Sequence, residues 1–427
     1  MKKNKVFLLE LNEFNIELLQ QAVRSLPLKN IKKMLVLHQT ELTTQDTYES
    51  DFLEPWVQWV SIHTGKPSTE HQIKHLGDVP HLGTKQLWEE LSERGVSSGI
   101  WGAMNASKGG ADKALFFLPD PWTASEDAYP GELNALLEPV RYLSKNYLNR
   151  SNKVLWQKVR DVKRLFWKNH LGKEILKELP VLIKNIIRYP GKSFVFISFF
   201  DYFSTLLFLA YRKQRKPDFS LLFLNSLAHL QHHHWKEIDP KENSPLVYGL
   251  TYLDRILGKI FASLGRDEIF LVTNALSQKN TSEEPPWILY RQKDQGEFLK
   301  ALGIRYRKVE PLMTHDAHIH FASEKGALLA KKKLDNIVVN GQKLFLVEEY
   351  PQDRTKLFYR VCFTDKLSEE ARFSVGRKKF SFFQFFQPIV QRTGKHIPKG
   401  TLFSNRELFL ETLQNHEVFH HIRQLYE

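Results

Sequence analysis

The sequence predicts an α/β protein, with a mostly parallel sheet sandwiched by helices, a basic helical insertion and a smaller α+β subdomain. Three observations carry this. Short apolar runs of strand length alternate with longer helix-period segments, the rhythm of a parallel sheet covered on both faces. The 427 residues are 42% hydrophobic and 26% charged, with 30 Phe and 9 Trp, enough for a large core filled by rings. Two stretches, 151–190 and everything after about 300, break the alternation and mark the insertion and the subdomain.

Taken in order, KVFLLEL (Lys5–Leu11) is the first strand. Its basic, then apolar opening resembles a signal peptide. Glu10 and Glu13 interrupt it after four apolar residues, and no small-residue cleavage site follows. Asn15–Leu26 and Gly83–Gly95 read as helices, and Ser97–Gly102 as a strand between helical segments. Residues 151–190 hold ten Lys/Arg against three Asp/Glu, with Trp156, Phe166 and Trp167 at helical intervals. This block is either a covering insertion with a solvated basic face or a docking surface for anionic lipid or polymer. Ser193–Tyr211 has about the length of a membrane span. Asp201 and Tyr202 at its middle favour a buried strand, Ser193–Phe200, running into a helix. Phe219–Asn225 and Glu268–Asn274 are further strands, and Ser277–Pro286 is a polar loop. Ser323–Ile337 is a helix of the subdomain, and the aromatic run Arg377–Pro388 reads as a buried strand. The expected organisation is a core over 1–299, a subdomain over 300–390, and a return to the core with a C-terminal helix over 391–427.

The formal charge of +13 favours anionic partners: a small molecule, glycan or lipid carrying phosphate or sulfate. No nucleic-acid module and no Gly-rich phosphate loop is present, so nucleic acid is not an expected partner. A single cysteine, Cys362, excludes an intramolecular disulfide framework and multi-cysteine zinc sites. The expected location is cytoplasmic, with peripheral membrane contact through 151–190 as an option.

In an open parallel sheet, ligand groups gather beyond the carboxyl ends of the strands. Here that places Asn12, Glu13 and Asn15 after the first strand, Asn225 and His229 after Phe219–Leu224, and Asn274 with Ala275 after Ile269–Thr273. Asn225 and His229, four apart at a helix start, share a face. Three consecutive histidines, His232, His233 and His234, follow; they cannot all face one way, and one is expected to point inward.

The order and spacing of these segments resemble the alkaline phosphatase superfamily, in its type I phosphodiesterase/nucleotide pyrophosphatase-like branch. LLELNEFNIELL is similar to that branch's opening strand with its metal-binding Asp. PWVQWVSIHTGKPSTEHQI resembles the nucleophile helix, and PDFSLLFLNSLAHLQH the strand ending in Asp-x-x-x-His. IFLVTNALSQ stands where the family has Ser-Asp-His-Gly, and RTGKHIPKGTLFS where it carries the final metal His. The resemblance, spread over residues 5–404, implies the alkaline phosphatase-like α/β core. It also implies two divalent ions, usually zinc, that activate a Thr or Ser nucleophile and stabilise an in-line displacement at phosphorus.

The departures are systematic. Asn12, Asn225 and Asn274 stand where the family has Asp, Ala275 where it has His, and Pro55 where it has the nucleophile. Of seven such positions only His229 and His396 keep the family's residue. A neutral amide oxygen is a poor ligand for zinc. Two adjacent dications need carboxylate charge to offset their repulsion, so a two-ion covalent mechanism is not expected. The sequence therefore implies a phosphodiesterase- or phosphatase-like hydrolase or transferase with reduced or no metal dependence. The alternatives are a catalytically inactive pseudoenzyme that binds an anionic ligand or glycan, and a membrane-proximal scaffold. His229 and His396, with Asn225, are either a weak single site for one divalent metal, zinc first, or hydrogen-bonded pocket residues without a metal. Glu13, Glu54 and His63 are the candidate acid/base groups without metal; the bland alternative is that the two carboxylates bond to neighbouring amides or arginines. Asn12, Trp56, Gln58, Asn225 and Asn274 are the expected pocket residues, with Pro55 and Trp59 in the same lining. His315, His318 and His320 fit a strand with histidines on one face.

Overall fold

A computed structural model describes residues 3–47, 52–146, 152–189, 193–235, 238, 244–285, 287–312, 315–350, 353–376 and 378–427. Ser151, Pro190, Pro286, Met313, Thr314, Arg377 and the Trp156 side chain, which figure in the sequence reading, lie outside the described residues.

The chain forms two compact units, 1–141 with 151–280 and 393–427, and 281–392 with 142–150. The sequence placed the corresponding boundaries at 300 and 391. The strands of the first unit are β1 (Val6–Leu11), β2 (His38–Thr43), β3 (Ser98–Trp101), β4 (Ala114–Leu118), β5 (Phe219–Leu224), β6 (Ile269–Thr273), β7 (Ser277–Asn280), β8 (Gly394–Ile397), β9 (Lys399–Ser404) and β10 (Thr412–Gln414). Eight of them make one sheet in the order β10-β2-β9-β6-β1-β5-β3-β4. All its pairings are parallel except those of β9, which runs against β6 and β2. β1 lies at the centre, buried along its whole length, as a parallel strand covered on both faces must be. This is the mostly parallel α/β fold the sequence expects.

The helices that matter for the site are α1 (Ile16–Ser25), α2 (Pro55–Thr64), α3 (Asn152–Lys168), α4 (Gly172–Arg188), α5 (Ser193–Arg215), α6 (Ser226–His234) and α7 (Pro245–Ser263). Asn15 caps α1, its Oδ1 accepting from the Leu18 amide at 2.7 Å. Pro55 opens α2 at its first turn, where a missing N–H costs nothing. Gly65 ends α2 at φ +70°, and a Cβ there would lie 2.7 Å from the Phe419 ring.

The structure corrects three readings. Ser193–Phe200 is no strand but the first third of α5. Phe194, Val195, Ser198, Asp201, Tyr202 and Thr205 are buried at helical spacing, so tertiary packing overrides the β-preference of the aromatic run. α5 is long and apolar enough to cross a membrane by length and composition, with 61% of its most apolar window buried in the protein. The polar loop begins as β7, which pairs antiparallel with β8. The run 378–388 is a strand (Lys378–Ser381), one helical turn (Phe382–Phe385) and the start of a strand (Phe386–Arg392), not one strand.

The second unit packs two four-stranded sheets and a helix, Glu324–Asp335, around its own aromatic core. His318 and His320 share a face of the strand Asp316–His320. His318 Nε2 lies 2.7 Å from the Tyr350 hydroxyl, and His320 Nε2 lies 2.7 Å from Glu310.

Candidate functional site

Glu13 sits one turn beyond β1, buried, with φ +55°. The left-handed conformation is costly for a residue with a Cβ. It is clamped here by Gln231 of α6, which donates Nε2–H to the Glu13 carbonyl (2.7 Å) while accepting the Asn15 amide (3.0 Å). The clamp aims the Glu13 carboxylate at two imidazoles. Glu13 Oε2 lies 2.9 Å from His232 Nε2 and 3.0 Å from His396 Nε2, and the two Nε2 atoms are 3.2 Å apart. His232 comes from α6 and His396 from β8, so three separate segments meet at one point.

Each group is oriented from behind. His232 Nδ1 donates to the Gly394 carbonyl (3.2 Å), and His396 Nδ1 faces Glu54 Oε2 at 3.4 Å. Glu54 stands at the N-cap of α2 without making a capping bond, which leaves its carboxylate for His396. Asn12 Nδ2 donates to Glu13 Oε1 (2.8 Å) and Gln278 Nε2 to Glu13 Oε2 (2.5 Å). With both Nδ1 atoms engaged by acceptors, both Nε2 atoms turn toward the carboxylate. Without an ion, one proton relieves part of this crowding. Burial opposes charge on His396, but the Glu13 and Glu54 carboxylates outweigh it and raise its pKa to about 9. Burial likewise opposes charge on Glu13, yet His396 and His232 hold its carboxyl well below the usual range.

The three atoms also fit a metal. Tetrahedral ligands at about 2.0–2.1 Å from zinc stand about 3.3 Å apart, close to the 2.9–3.2 Å found here. Two His and one carboxylate, with the far nitrogens of the imidazoles held by a carbonyl and a carboxylate, is a donor set that could hold one divalent cation with an open position.

Among the described residues no second group of three His, Cys, Asp or Glu donors gathers. Asn12 Nδ2 is bound to Glu13 and to Asn225 Oδ1 (2.8 Å), and Asn12 Oδ1 accepts the Trp59 indole N–H (2.7 Å). Asn274 donates to the Phe14 carbonyl (2.7 Å) and accepts the Thr401 amide (2.7 Å). These amides tie the strand ends to their surroundings.

The expected residues therefore divide. Asn12, Glu13, Glu54, Asn225 and His396 are brought together. His229 is not: its Nε2 lies 3.5 Å from Ser193 Oγ, its ring 4.4 Å from that of His233, and burial lowers its pKa to about 3. The pairing of His229 with His396 is thus corrected to His232 with His396. His63 pairs inside the core with Glu10 (2.7 Å), away from Glu13. Gln58 belongs to another network, donating to Asp46 (2.6 Å) and accepting from Asn415 (2.7 Å). Trp56 is half-buried and donates its indole N–H to the Lys74 carbonyl (2.9 Å). Gln231 and Gln278 were missed; nothing in their spacing distinguishes them from ordinary polar residues.

Fold and site together define an α/β protein with a carboxylate–histidine centre at the carboxyl end of its central strand. No family model and no curated relative matches the chain. Among solved structures it is similar to phosphonoacetate hydrolase from Sinorhizobium meliloti 1021 in complex with phosphonoacetate, at 14% identity and TM-score 0.45, over 99% of this chain and 96% of that one. Murine ectonucleotide pyrophosphatase/phosphodiesterase 5 is similar at 10% identity and TM-score 0.47, over 99% and 95%. Its human counterpart stands at 11% and 0.43, with the same coverage. At these values the likeness carries no functional assignment, which comes from side-chain geometry alone.

Proposed function

We propose that this chain is a divergent member of the alkaline phosphatase superfamily whose two-ion centre is reduced to one cation site, Glu13–His232–His396. It acts as a hydrolase or transferase on a phosphate- or sulfate-bearing glycan or lipid. The observation that carries the proposal is the convergence of one carboxylate oxygen and two imidazole Nε2 atoms within 3.2 Å, each imidazole oriented from its far nitrogen. It is supported by where that convergence falls, among positions 12, 225 and 396 that the sequence resemblance selects.

Bound zinc supplies charge stabilisation at a phosphoryl or sulfuryl oxygen and lowers the pKa of water. Glu54, whose side chain is 25% exposed, is the more accessible carboxylate of the cluster and the candidate to exchange a proton with water or a leaving group. Pro55 offers no nucleophile, so the reaction class is direct attack by water or an acceptor hydroxyl. A second reading, a silent binder of an anionic ligand, is favoured by the internal bonding of Asn12 and Asn274.

The test is elemental analysis of tag-free protein purified without chelator, followed by a panel of phosphate, phosphodiester and sulfate esters. Expected are about one zinc per chain, lost in Glu13→Gln and His232→Ala, and ester turnover that falls with it. Zinc without turnover of any ester leaves the binder. Absence of zinc after reconstitution overturns the cation site, and two tightly held ions would overturn the amide assignment.

A further inference from the structure

We propose that α4 is a docking surface for an anionic lipid bilayer. The helix carries two apolar faces where one suffices for packing. Ile175, Leu182, Ile186 and Tyr189 turn inward onto the core of the first unit. A second stripe, Leu176, Leu179, Ile183 and Ile187, faces out at intervals of three and four residues, with exposures of 60%, 43%, 49% and 74%. Beside it runs a cationic stripe, Lys173, Lys177, Lys184 and Arg188, all exposed.

Charge selects the occupant. Every exposed residue of α4 is apolar or cationic. Its two acids are withdrawn: Glu178 is buried against Arg255, and Glu174 lies between Lys177 (3.3 Å) and Lys259 (3.8 Å). At the helix start Trp167 is 52% exposed, its ring packed where a side chain on Gly172 would stand. α3, which delivers Trp167, exposes Lys153, Arg160, Lys163, Arg164 and Lys168. An apolar ridge flanked by cations, with an indole at one end, matches a helix lying in the headgroup layer of an anionic leaflet. The ridge reaches the acyl boundary and the cations meet phosphates. A soluble polyanion would use the cations and leave the ridge unexplained.

The experiment is sedimentation of the full-length protein with phosphatidylcholine vesicles and with phosphatidylcholine–phosphatidylglycerol vesicles, at low and high salt. Two variants on exposed positions, each checked for unchanged thermal unfolding, are Lys173→Gln/Lys177→Gln/Lys184→Gln/Arg188→Gln and Ile183→Ser/Ile187→Ser. Binding is expected only with phosphatidylglycerol and is weakened by salt. It should fall on the order of a thousandfold in the charge variant and at least about tenfold in the isoleucine variant. No binding to phosphatidylglycerol vesicles overturns the proposal. So does undiminished binding by the isoleucine variant, which would mark a polyanion surface. A concentration-dependent dimer abolished by the isoleucine variant would make this face a self-interface and overturn it as well. Neither variant touches Glu13, His232 or His396, so zinc content reports separately on the catalytic reading.

Discussion

Two buried Glu–His pairs lie three residues apart along β1 and its exit, and they differ in everything but composition. Glu10 Oε1 meets His63 Nε2 at 2.7 Å inside the sheet–helix interface, with Trp59 and Trp88 against the imidazole. Glu10 Oε2 and His63 Nδ1 find no hydrogen-bond partner among the described residues. Glu13 meets His396 at 3.0 Å, but both its oxygens are bonded, a second imidazole joins, and Glu54 stands behind. A pair in mid-strand is enclosed by its own sheet and one helix. A pair just past the strand end receives groups from every loop that arrives there, which is why sites collect at carboxyl ends. The first pair holds α2 to the sheet, and the second gathers groups from three segments at one point.

The contrast is tested first where the effect is largest. Glu13→Gln and His232→Ala should each lower zinc affinity by more than about a hundredfold in a competition titration. In zinc-free protein, Glu13→Gln should also cost about 1.5–3 kcal/mol by urea denaturation, because it removes one of the two carboxylates that pair with buried His396. A loss under about 1 kcal/mol would place Glu13 with Glu10 as a structural group.

Acidity separates the pairs next. His396 is raised to about 9, so in zinc-free protein its stabilisation is complete below its unfolded value of 6.5 and is lost as pH rises through about 9. Glu13 is lowered, so its contribution is complete above its unfolded 4.5 and is lost as pH falls toward its folded value. Stability from this pair is therefore greatest between the two unfolded values, and His396→Gln should remove the alkaline decline. An unchanged alkaline limb would mean that His396 is neutral in the folded protein.

Glu54→Gln should weaken zinc by about tenfold, since its carboxylate faces the far nitrogen of His396 and orients that ring. The smallest effects belong to the other pair and to the discarded ligand. Glu10→Gln should cost within about 1.5 kcal/mol and leave zinc affinity unchanged. His229→Ala should leave it unchanged too, and a loss there would restore His229 to the ligand set.

Much of this was legible in the sequence. The strands at Lys5–Leu11, Ser97–Gly102, Phe219–Asn225 and Glu268–Asn274 were each recovered to within a residue of their observed ends, because a strand buried on both faces writes a continuous apolar run. Asn12, Glu13 and Asn225 were found because strand ends mark the site, and His396 only through the resemblance of the segment RTGKHIPKGTLFS. The segment 193–200 misled, since a core helix made of Phe, Val and Ile shares its composition with a strand. His229 misled because spacing from Asn225 fixes a position on a helix but not which turn of that helix meets β8.

Sequence by itself thus determined the α/β class and which residues follow the strand ends, among them Asn12, Asn225 and Asn274, with His396 in the late strand. These are properties of residue type and order. Only the tertiary structure decided that His232 faces His396 and that His63 belongs to Glu10. It also placed Gln231 where it holds Glu13 in a left-handed turn and left α4 with a bare apolar ridge. Each depends on where segments hundreds of residues apart come to rest, and local chemistry carries no record of that distance.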